Sequence, residues 1–509
     1  MKYTWVLVLC CLVCLLQAPS VYAEGETDTF LAQQIDSFVT DTMTSLSIPG
    51  AYIGVIENGE VVYSKGFGVT DIAKPVEITA DTRFPIGSIT KTLTATALGL
   101  ATQDGFIDWY QPVSVYLPSW TLPASDGTSP ARIVDLLSHN SSLFAYQGDL
   151  LAFMNLTDEE IVERTSYLEP AALKTDAIGS YNNIGFVVAG SILNETVGVS
   201  YAQYIEENIF KPLEMSRSAL QMEALTQDEH GVSGHYLSDD GSLLSFPIEA
   251  VGSMDAAGNG ISTGTDMLRF MNWFMTGIGN RDDVQLSPEI LDAIQTVYRP
   301  ADRIIASANG ITDPDVGFGL GVKVHTMFHK TFLTKSGALI GASSAMYMDY
   351  DDKTGVIVLT NSNGIGTSVL AQGILSLLYT DVIPENMIGY IADIIQNEPA
   401  QAELLEINDP TYYQSEDDPY LFASDIVGTY VHPAYGTMVL SGEEDAIMVT
   451  HESGEGIVLR MGNNLFVFVL PVLASVGYSI FDIDENGTVT GFSTLSLGQF
   501  TKVENKKEI

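Results

Sequence analysis

Residues 83–91 read RFPIGSITK and lead into a helical pattern that runs to about residue 103. Ser88 and Lys91 are three positions apart, so on a helix both side chains lie on one face and the ammonium group can reach the hydroxyl. A serine hydroxyl is a weak nucleophile until a neighbouring base accepts its proton, and the free amides of a helix N-terminus favour a developing oxyanion. The stretch predicts a nucleophile, although Ser-x-x-Lys arises about once by chance in such a chain and serine commonly caps helices.

A second polar element, YNN at residues 181–183, stands between a loop and an apolar helical pattern that reaches residue 193. A tyrosine whose pKa is lowered by lysine ammonium groups can carry the proton of a serine. The amide of Asn183 can hold both a lysine and a substrate carbonyl. The alternative is an ordinary turn, because asparagine tolerates unusual backbone angles before a helix.

A third element, KSG at residues 335–337, is predicted at the head of a strand and is followed by Ala338. Such a strand can lie beside the nucleophile, where lysine supplies charge and glycine allows a substrate to approach closely. The alternative is an ordinary polar start to a strand. A similar triplet, KTG at residues 353–355, follows two aspartates and is interpreted as a turn between two strands.

Taken in this order, the three elements resemble those of the serine β-lactamase-related family, most of all class C β-lactamases, D,D-peptidases and related esterases. LLSHNSSL at residues 136–143, GNGIST at 258–263 and FGLG at 318–321 are similar to further landmarks of that family. The resemblance spans about residues 30–378. It implies an α+β fold, with an antiparallel sheet of the β-lactamase/D,D-peptidase type and a helical subdomain.

The resemblance also implies a role for each matching residue. Ser88 is expected to form the acyl-enzyme, while Lys91 and Tyr181 move its proton. The residues expected to bind substrate are Asn183, Lys335, Ser336, Gly337 and Ala338. The backbone amides of Ser88 and Ala338 are expected to form the oxyanion hole, so catalysis of this kind needs no metal and no cofactor.

The order of predicted elements supports the same fold class. Strands are predicted at residues 51–56 and 61–66 around the hairpin turn ENGE, and again at residues 317–324, 345–349 and 356–360, before a helix at 367–378. Strands at both ends with helices between them indicate one α+β domain whose two ends share a sheet. We place this hydrolase domain at residues 24–396.

An acidic, proline-containing stretch at residues 397–419 is interpreted as a linker. Beyond it, residues 420–505 contain short β-rich runs separated by glycine and acidic residues, which predict a small all-β domain. The run GTYVHPAYG at residues 428–436 is similar to the lipocalin-like β-domain of some family members. One hypothesis is that this domain binds a ligand or covers the cleft.

Residues 1–23 have the pattern of a signal peptide: a lysine at position 2, an apolar run over residues 5–16 and a small-residue end at residues 21–23. The run is too short to span a bilayer, which takes about 20 apolar residues. This pattern leads us to expect a secreted, extracellular protein. All three cysteines, Cys10, Cys11 and Cys14, fall inside it, so the mature chain is expected to have no thiol chemistry.

The formal net charge is −42, from 22 Lys+Arg and 64 Asp+Glu. Such an acidic chain repels nucleic acid, and its scattered carboxylates indicate a solvated surface or a weak association with calcium or a mineral surface. A stretch at residues 482–487 resembles the start of a calcium-binding loop, but the flanking runs are β-like and a hairpin turn is favoured. The Asn-x-Ser/Thr pattern gives four candidate glycosylation sites: Asn140, Asn155, Asn194 and Asn486.

Two hypotheses on function follow. The first is a secreted serine hydrolase that acts through an acyl-enzyme on a small peptide, an amide or an ester. The alternative is a non-catalytic acidic protein of the extracellular matrix that retains the fold, as in the β-lactamase-like shell-matrix proteins of molluscs.

Overall fold

The structure is a computed structural model. It describes residues 29–170, 181–238, 240–277, 285–300, 312–389, 391, 418–443, 446–470, 478–494 and 497–503, with the side chains of 312–316 excepted. The predicted signal peptide and nearly all of the predicted linker, up to residue 417, lie outside the described residues.

The strands and helices are numbered in chain order. The strands are β1 Gly50–Glu57, β2 Glu60–Gly68, β3 Phe84–Pro85, β4 Gly234–Leu237, β5 Leu243–Phe246, β6 Ile261–Ser262, β7 Arg299–Pro300, β8 Thr312–Phe318, β9 Lys323–Met327, β10 Lys330–Leu339, β11 Ala342–Asp349, β12 Thr354–Thr360, β13 Gly428–His432, β14 Gly436–Glu443, β15 Ala446–His451, β16 Gly454–Arg460, β17 Phe466–Val469, β18 Tyr478–Ile483, β19 Val489–Thr494 and β20 Gly498–Val503. The α-helices are α1 Thr29–Ser45, α2 Thr90–Gln103, α3 Ile133–Leu137, α4 Asp149–Ala152, α5 Asp158–Thr165, α6 Ile184–Val197, α7 Tyr201–Ile205, α8 Glu223–Thr226, α9 Gly264–Thr276, α10 Pro288–Gln295, α11 Gly366–Thr380 and α12 Ala423–Ile426.

A large antiparallel sheet joins the two ends of the first domain. Its order within the described residues is β2-β1-β12-β11-β10-β9-β8-β7, so the first hairpin pairs with the last long strand. Val55 lies opposite Val356, and both are fully buried. Strand β1 is buried along nearly its whole length because α1 and α11 pack on one face of the sheet and α9 packs on the other. This arrangement confirms the predicted α+β domain whose two ends share a sheet.

Two predicted strand positions were wrong in detail. The run at residues 317–324 is not one strand, because β8 ends at Phe318 and β9 begins at Lys323. The chain turns between them at Gly321, which has a φ of +70° and whose Cβ would lie 2.5 Å from the carbonyl oxygen of Lys91. Lys335 lies inside β10 rather than at its head, since β10 starts at Lys330.

A closed barrel follows as the second domain. Strands β13 to β20 are each paired with the next in antiparallel fashion, and β13 also pairs with β20. Its interior is filled by aromatic rings: Phe492 stacks on Phe468 and on Phe500, at centroid distances of 4.8 and 4.7 Å. The all-β prediction for this region is therefore confirmed.

In the part of the chain that the structure describes, no single helix combines the length and apolar character needed to cross a membrane. One bent pair of segments, Ile184–Val197 with Tyr201–Phe210, reaches that length and apolar character only when the two are taken together.

Candidate active site

The turn before α2 fixes the position of Ser88. Gly87 has a φ of +51°, and residues Gly87–Ile89 form one 3₁₀ turn that runs directly into α2. The hydroxyl of Thr90 donates to the carbonyl of Gly87 at 2.6 Å, and the hydroxyl of Ser344 on β11 donates to the carbonyl of Ile86 at 2.7 Å. The nucleophile therefore lies at the head of a buried helix, tied to the central sheet.

The predicted catalytic side chains meet at one atom. Lys91 Nζ donates to Ser88 Oγ at 3.1 Å, and Tyr181 Oη donates to the same oxygen at 2.8 Å. Lys91 Nζ also donates to Asn183 Oδ1 at 2.7 Å and to the carbonyl oxygen of Ala257 at 2.6 Å. Residues far apart in the sequence thus form one hydrogen-bonded cluster around the hydroxyl of Ser88.

Two glycines let β10 approach the nucleophile turn. A Cβ on Gly337 would lie 2.1 Å from the carbonyl oxygen of Ile86 and 2.7 Å from the amide nitrogen of Ser88. A Cβ on Gly87 would lie 2.5 Å from the amide nitrogen of Ala338. Any side chain at either position would push the two segments apart. Because the contact is made, the backbone amides of Ser88 and Ala338 are brought close to each other, as the predicted oxyanion hole needs.

Around the predicted KSG element, the side chains of β10 alternate between buried and exposed positions. Ser336 and Ala338 are exposed, whereas Lys335 is buried, with its Nζ 4.9 Å from the centre of the Tyr181 ring. The similar triplet at residues 353–355 lies elsewhere, as predicted. Lys353 occupies the turn between β11 and β12 with a φ of +53°, and its Nζ donates to the carbonyl oxygen of Tyr350.

Burial shifts the pKa of both lysines downward. Lys91 is fully buried, and desolvation lowers its pKa to about 7 against the opposing attraction of Asp149. Desolvation holds the pKa of Lys335 well below its usual value, and the nearby charges of Lys91 and Lys323 lower it further. A substantial fraction of Lys91 is therefore neutral near pH 7, so it can accept a proton.

The expected effect of the lysines on Tyr181 was wrong. Desolvation raises the pKa of the Tyr181 phenol and outweighs the hydrogen bond to Ser88, which lowers it. The phenol therefore stays protonated and donates to Ser88, so its suitable role is to relay a proton held by Lys91.

Asp149 is a site residue that the sequence patterns did not single out. Its Oδ2 accepts a hydrogen bond from Asn183 Nδ2 at 2.7 Å, while its buried Oδ1 has no hydrogen-bond partner within the described residues. Burial raises the pKa of this carboxyl group to about 7, against the hydrogen bond from Asn183 and the charge of Lys91. One N–H of Asn183 is thus engaged by Asp149, which leaves the other for the predicted contact with a substrate carbonyl.

His139, in the LLSHNSSL stretch, contacts the segment that carries Tyr181. Its Nδ1 accepts a hydrogen bond from the backbone amide of Asn182 at 3.1 Å, and its ring centre lies 4.4 Å from that of Tyr181. Burial keeps the pKa of this imidazole well below its usual value, with the charges of Lys335 and Lys91 adding to the effect. His139 is therefore neutral, and its ring packs against the ring of Tyr181.

The four candidate glycosylation sites differ in their surroundings. The Asn140 amide donates to Asp135 and its oxygen accepts from Ser125, and the amide of Asn194 is held similarly between Asp158 and the backbone of Tyr201. Two of the four, Asn155 and Asn486, are exposed.

The stretch that resembles a calcium-binding loop forms a hairpin turn. Residues 484–488 form the turn between β18 and β19, and Asp484 Oδ1 accepts from the amides of Asn486 and Thr488. Among the described residues, no group of three or more His, Cys, Asp or Glu side chains is arranged to hold a metal ion.

Comparison with known proteins gives a family and a fold. The family model described as "Beta-lactamase" matches residues 35–378. Protein flp of Staphylococcus aureus (strain MW2) is 23% identical over 382 residues, which cover 74% of this chain and 71% of that protein.

Among solved structures, the octameric penicillin-binding protein homologue from Pyrococcus abyssi has a TM-score of 0.57 and 22% identity, and the match covers 92% of this chain and 99% of that one. A class C beta-lactamase has a TM-score of 0.54 and 22% identity, and its match covers 70% of this chain and 98% of the other. The larger coverage of the first match extends well beyond the residues of the family model.

Proposed function

The chain belongs to the beta-lactamase family, and we propose that it is a serine hydrolase that cleaves an amide or an ester through an acyl-enzyme on Ser88. One observation carries the proposal: the hydroxyl of Ser88 is held at once by Lys91 Nζ, at 3.1 Å, and by Tyr181 Oη, at 2.8 Å. A serine that only caps a helix does not require hydrogen bonds from a buried lysine and a buried tyrosine to its side-chain oxygen.

Acylation follows from this arrangement. The oxygen of Ser88 attacks the substrate carbonyl carbon, while the serine proton passes to neutral Lys91, either directly or through Tyr181. The electron pair of the C=O double bond moves to the carbonyl oxygen, which the amides of Ser88 and Ala338 stabilise.

Collapse of this intermediate breaks the bond to the leaving group. The departing nitrogen or oxygen takes a proton from Tyr181, and Tyr181 recovers one from Lys91. Water then attacks the acyl-enzyme by the same route in reverse, which releases the acid and regenerates Ser88. In this second half the water supplies the proton that passes through the cluster to the oxygen of Ser88.

For the substrate, we propose a small peptide, amide or ester that carries a carboxylate near the scissile bond. The support is Ser336, exposed on β10 next to Gly337, which packs against the nucleophile turn, and the neighbouring Lys335, which a bound carboxylate would keep protonated. We further propose that the protein is secreted, on the basis of the signal-peptide pattern at residues 1–23.

The test is acylation of the full chain by a broad fluorophosphonate and by a fluorescent penicillin, with mass spectrometry to locate the adduct. We expect an adduct on Ser88 that the variant Ser88→Ala lacks. The rate of labelling should rise with pH through about 7, because Lys91 must be neutral to accept the serine proton. No adduct from either probe on demonstrably folded protein would contradict the proposal and favour the matrix-protein alternative.

A second pair of variants tests recognition of the carboxylate. Lys335→Ala is expected to slow labelling by penicillin, which carries a carboxylate, more than labelling by a fluorophosphonate, which does not. Lys353→Ala is the matched control, since that lysine lies in a remote turn of the same sheet. Equal losses with both probes in Lys335→Ala would show that this lysine acts on the nucleophile and not on the substrate.

A further inference from the structure

The turn between β13 and β14 of the barrel reaches into the catalytic domain. This turn contains the sequence HPAYG, residues 432–436. Tyr435 at its centre is fully buried, and its Oη accepts a hydrogen bond from the backbone amide of Gly148 at 3.0 Å. The contact joins residues that are 287 positions apart in the chain.

The barrel holds this tyrosine rigidly. His432 Nδ1 accepts from the amides of Ala434 and Tyr435, at 3.0 and 3.3 Å. His451 Nε2 donates to the carbonyl oxygen of Tyr435 at 2.7 Å. The ring of Tyr435 lies parallel to that of Phe500, with the planes 13° apart. Both the backbone and the ring of Tyr435 are therefore held by contacts within the barrel.

The partner of Tyr435 stands next to the catalytic cluster. Gly148 has a φ of +93°, and its Cβ would lie 2.8 Å from a side-chain carbon of Ile184 at the start of α6. The following residue is Asp149, whose carboxylate accepts from Asn183, and Asn183 in turn accepts from Lys91. A continuous series of hydrogen bonds and one peptide link thus connects the barrel to the base that serves Ser88.

The contacts that Arg164 makes across this boundary are longer. Arg164 Nη1 donates to the carbonyl oxygen of Ala434 at 3.4 Å and lies 3.9 Å from a carboxylate oxygen of Glu452, which is half exposed. Exposed, long contacts of this kind contribute little to stability. The contact of Tyr435 is buried, and it is made at the backbone of Gly148, beside the active site.

We propose that the barrel is a working part of the catalytic site, and that Tyr435 and Asp149 are positioning residues that hold Asn183 and Lys91 in the arrangement that acyl transfer needs. The inference rests on the proposed function, because it assigns the residues that support the same nucleophile. It gives the C-terminal domain a role other than binding a ligand inside the barrel, whose interior is occupied by aromatic rings.

The experiment compares Tyr435→Phe with Tyr430→Phe in the full chain. Both variants remove one hydroxyl from a buried tyrosine of the barrel, but Tyr430 Oη donates to the carbonyl of Ile426 within the barrel domain. Two quantities are measured: the rate of Ser88 labelling by a fluorophosphonate, and hydrogen exchange of the backbone amides in residues 144–152, followed by mass spectrometry.

We expect Tyr435→Phe to label about tenfold more slowly than the parent protein, with faster exchange in residues 144–152. Tyr430→Phe should match the parent in both measurements. An unchanged labelling rate, or a loss of the same size in Tyr430→Phe, would overturn the inference.

The exchange measurement separates this inference from the proposed function. If no version of the protein labels, the proposed function fails, but faster exchange in Tyr435→Phe alone still supports the structural link. Unchanged exchange would remove that link whatever the labelling shows.

Asp149→Asn provides a second variant that leaves the barrel intact. The charged and titratable groups facing Lys91 are Asp149, Tyr181, Lys335 and His139. Of these, Asp149 alone raises the pKa of Lys91, so its neutralisation lowers that pKa further. We expect the acid limb of the labelling rate to move to lower pH and the plateau to fall; a profile identical to that of the parent would contradict the role of Asp149.

Discussion

The cluster of side chains around Ser88 and the interior of the barrel are both buried, but burial has opposite effects on the stability of the two. Around Ser88, burial encloses two lysines, a carboxylate and a phenol, and it shifts their pKa values away from those in water. In the barrel, burial encloses stacked phenylalanine rings such as Phe468 and Phe492. The first arrangement is costly to form because charged groups lose water, whereas the second is favourable because apolar surface loses water.

This difference indicates that burial stabilises the barrel, whereas burial of the charged groups around Ser88 lowers the stability of the fold. Apolar burial stabilises the barrel without assigning a special role to any one ring. The catalytic cluster depends instead on a few exact approaches of backbone to backbone, such as that of Gly337 to Ile86. Substitutions of equal size should therefore have unequal consequences in the two regions.

Gly337→Ala and Gly456→Ala give the largest expected contrast. In each case the added Cβ would lie 2.1 Å from a backbone carbonyl oxygen, that of Ile86 for Gly337 and that of Val469 for Gly456. Both changes should destabilise the fold by about 1–3 kcal/mol through overpacking. Only Gly337→Ala should also slow labelling of Ser88, by about 10³-fold, since it displaces the amides that receive the oxyanion.

Thermal unfolding and labelling rates of the two variants check this contrast. A large loss of labelling in Gly456→Ala would show that overpacking in the barrel also disturbs the site around Ser88, which would contradict the expected contrast.

Phe468→Ala should have its main effect on stability. This fully buried ring stacks on Phe492, and its removal leaves a cavity that costs about 3–5 kcal/mol. At temperatures where the variant remains folded, labelling of Ser88 should proceed at the parent rate, because Phe468 is not part of the Tyr435 turn. Denaturant unfolding with parallel labelling measures both quantities, and slow labelling of folded protein would assign the barrel core a direct influence on the cleft.

Arg164→Met should have the smallest effect. Its long contacts with Ala434 and Glu452 cross the boundary near a half-exposed carboxylate. Loss of such a pair should change stability by less than about 1 kcal/mol and should leave labelling nearly unchanged. A loss of labelling as great as that in Tyr435→Phe would mean that general adhesion of the barrel, and not the tyrosine hydroxyl, supports the cleft.

The sequence predicted the parts of the molecule that depend on local pattern. The serine and lysine at residues 88 and 91, the hairpin at residues 57–60, the helix after Asn183 and the β-rich second domain all follow from spacing or from alternation of apolar residues. The resemblance implied a site role for Lys335, and the structure places its Nζ 4.9 Å from the ring centre of Tyr181.

The parts that the sequence missed depend on contacts between distant segments. Asp149 carries no motif, and its importance appears only when α4 is packed beside Asn183. The rise in the pKa of Tyr181 could not be foreseen from its lysine neighbours, because the extent of burial determines its direction. The break at Gly321 likewise arises from the approach of that turn to α2.

The bond between Tyr435 and Gly148 also has a thermodynamic consequence. To whatever extent docking of the barrel favours the acylated form of the enzyme, acylation must favour docking of the barrel by the same free energy, since coupling between two binding equilibria is reciprocal. The barrel would then act as an effector of the site around Ser88 that belongs to the same chain. In that case acylation and deacylation of Ser88 would alternately strengthen and weaken the contact of the barrel with the catalytic domain.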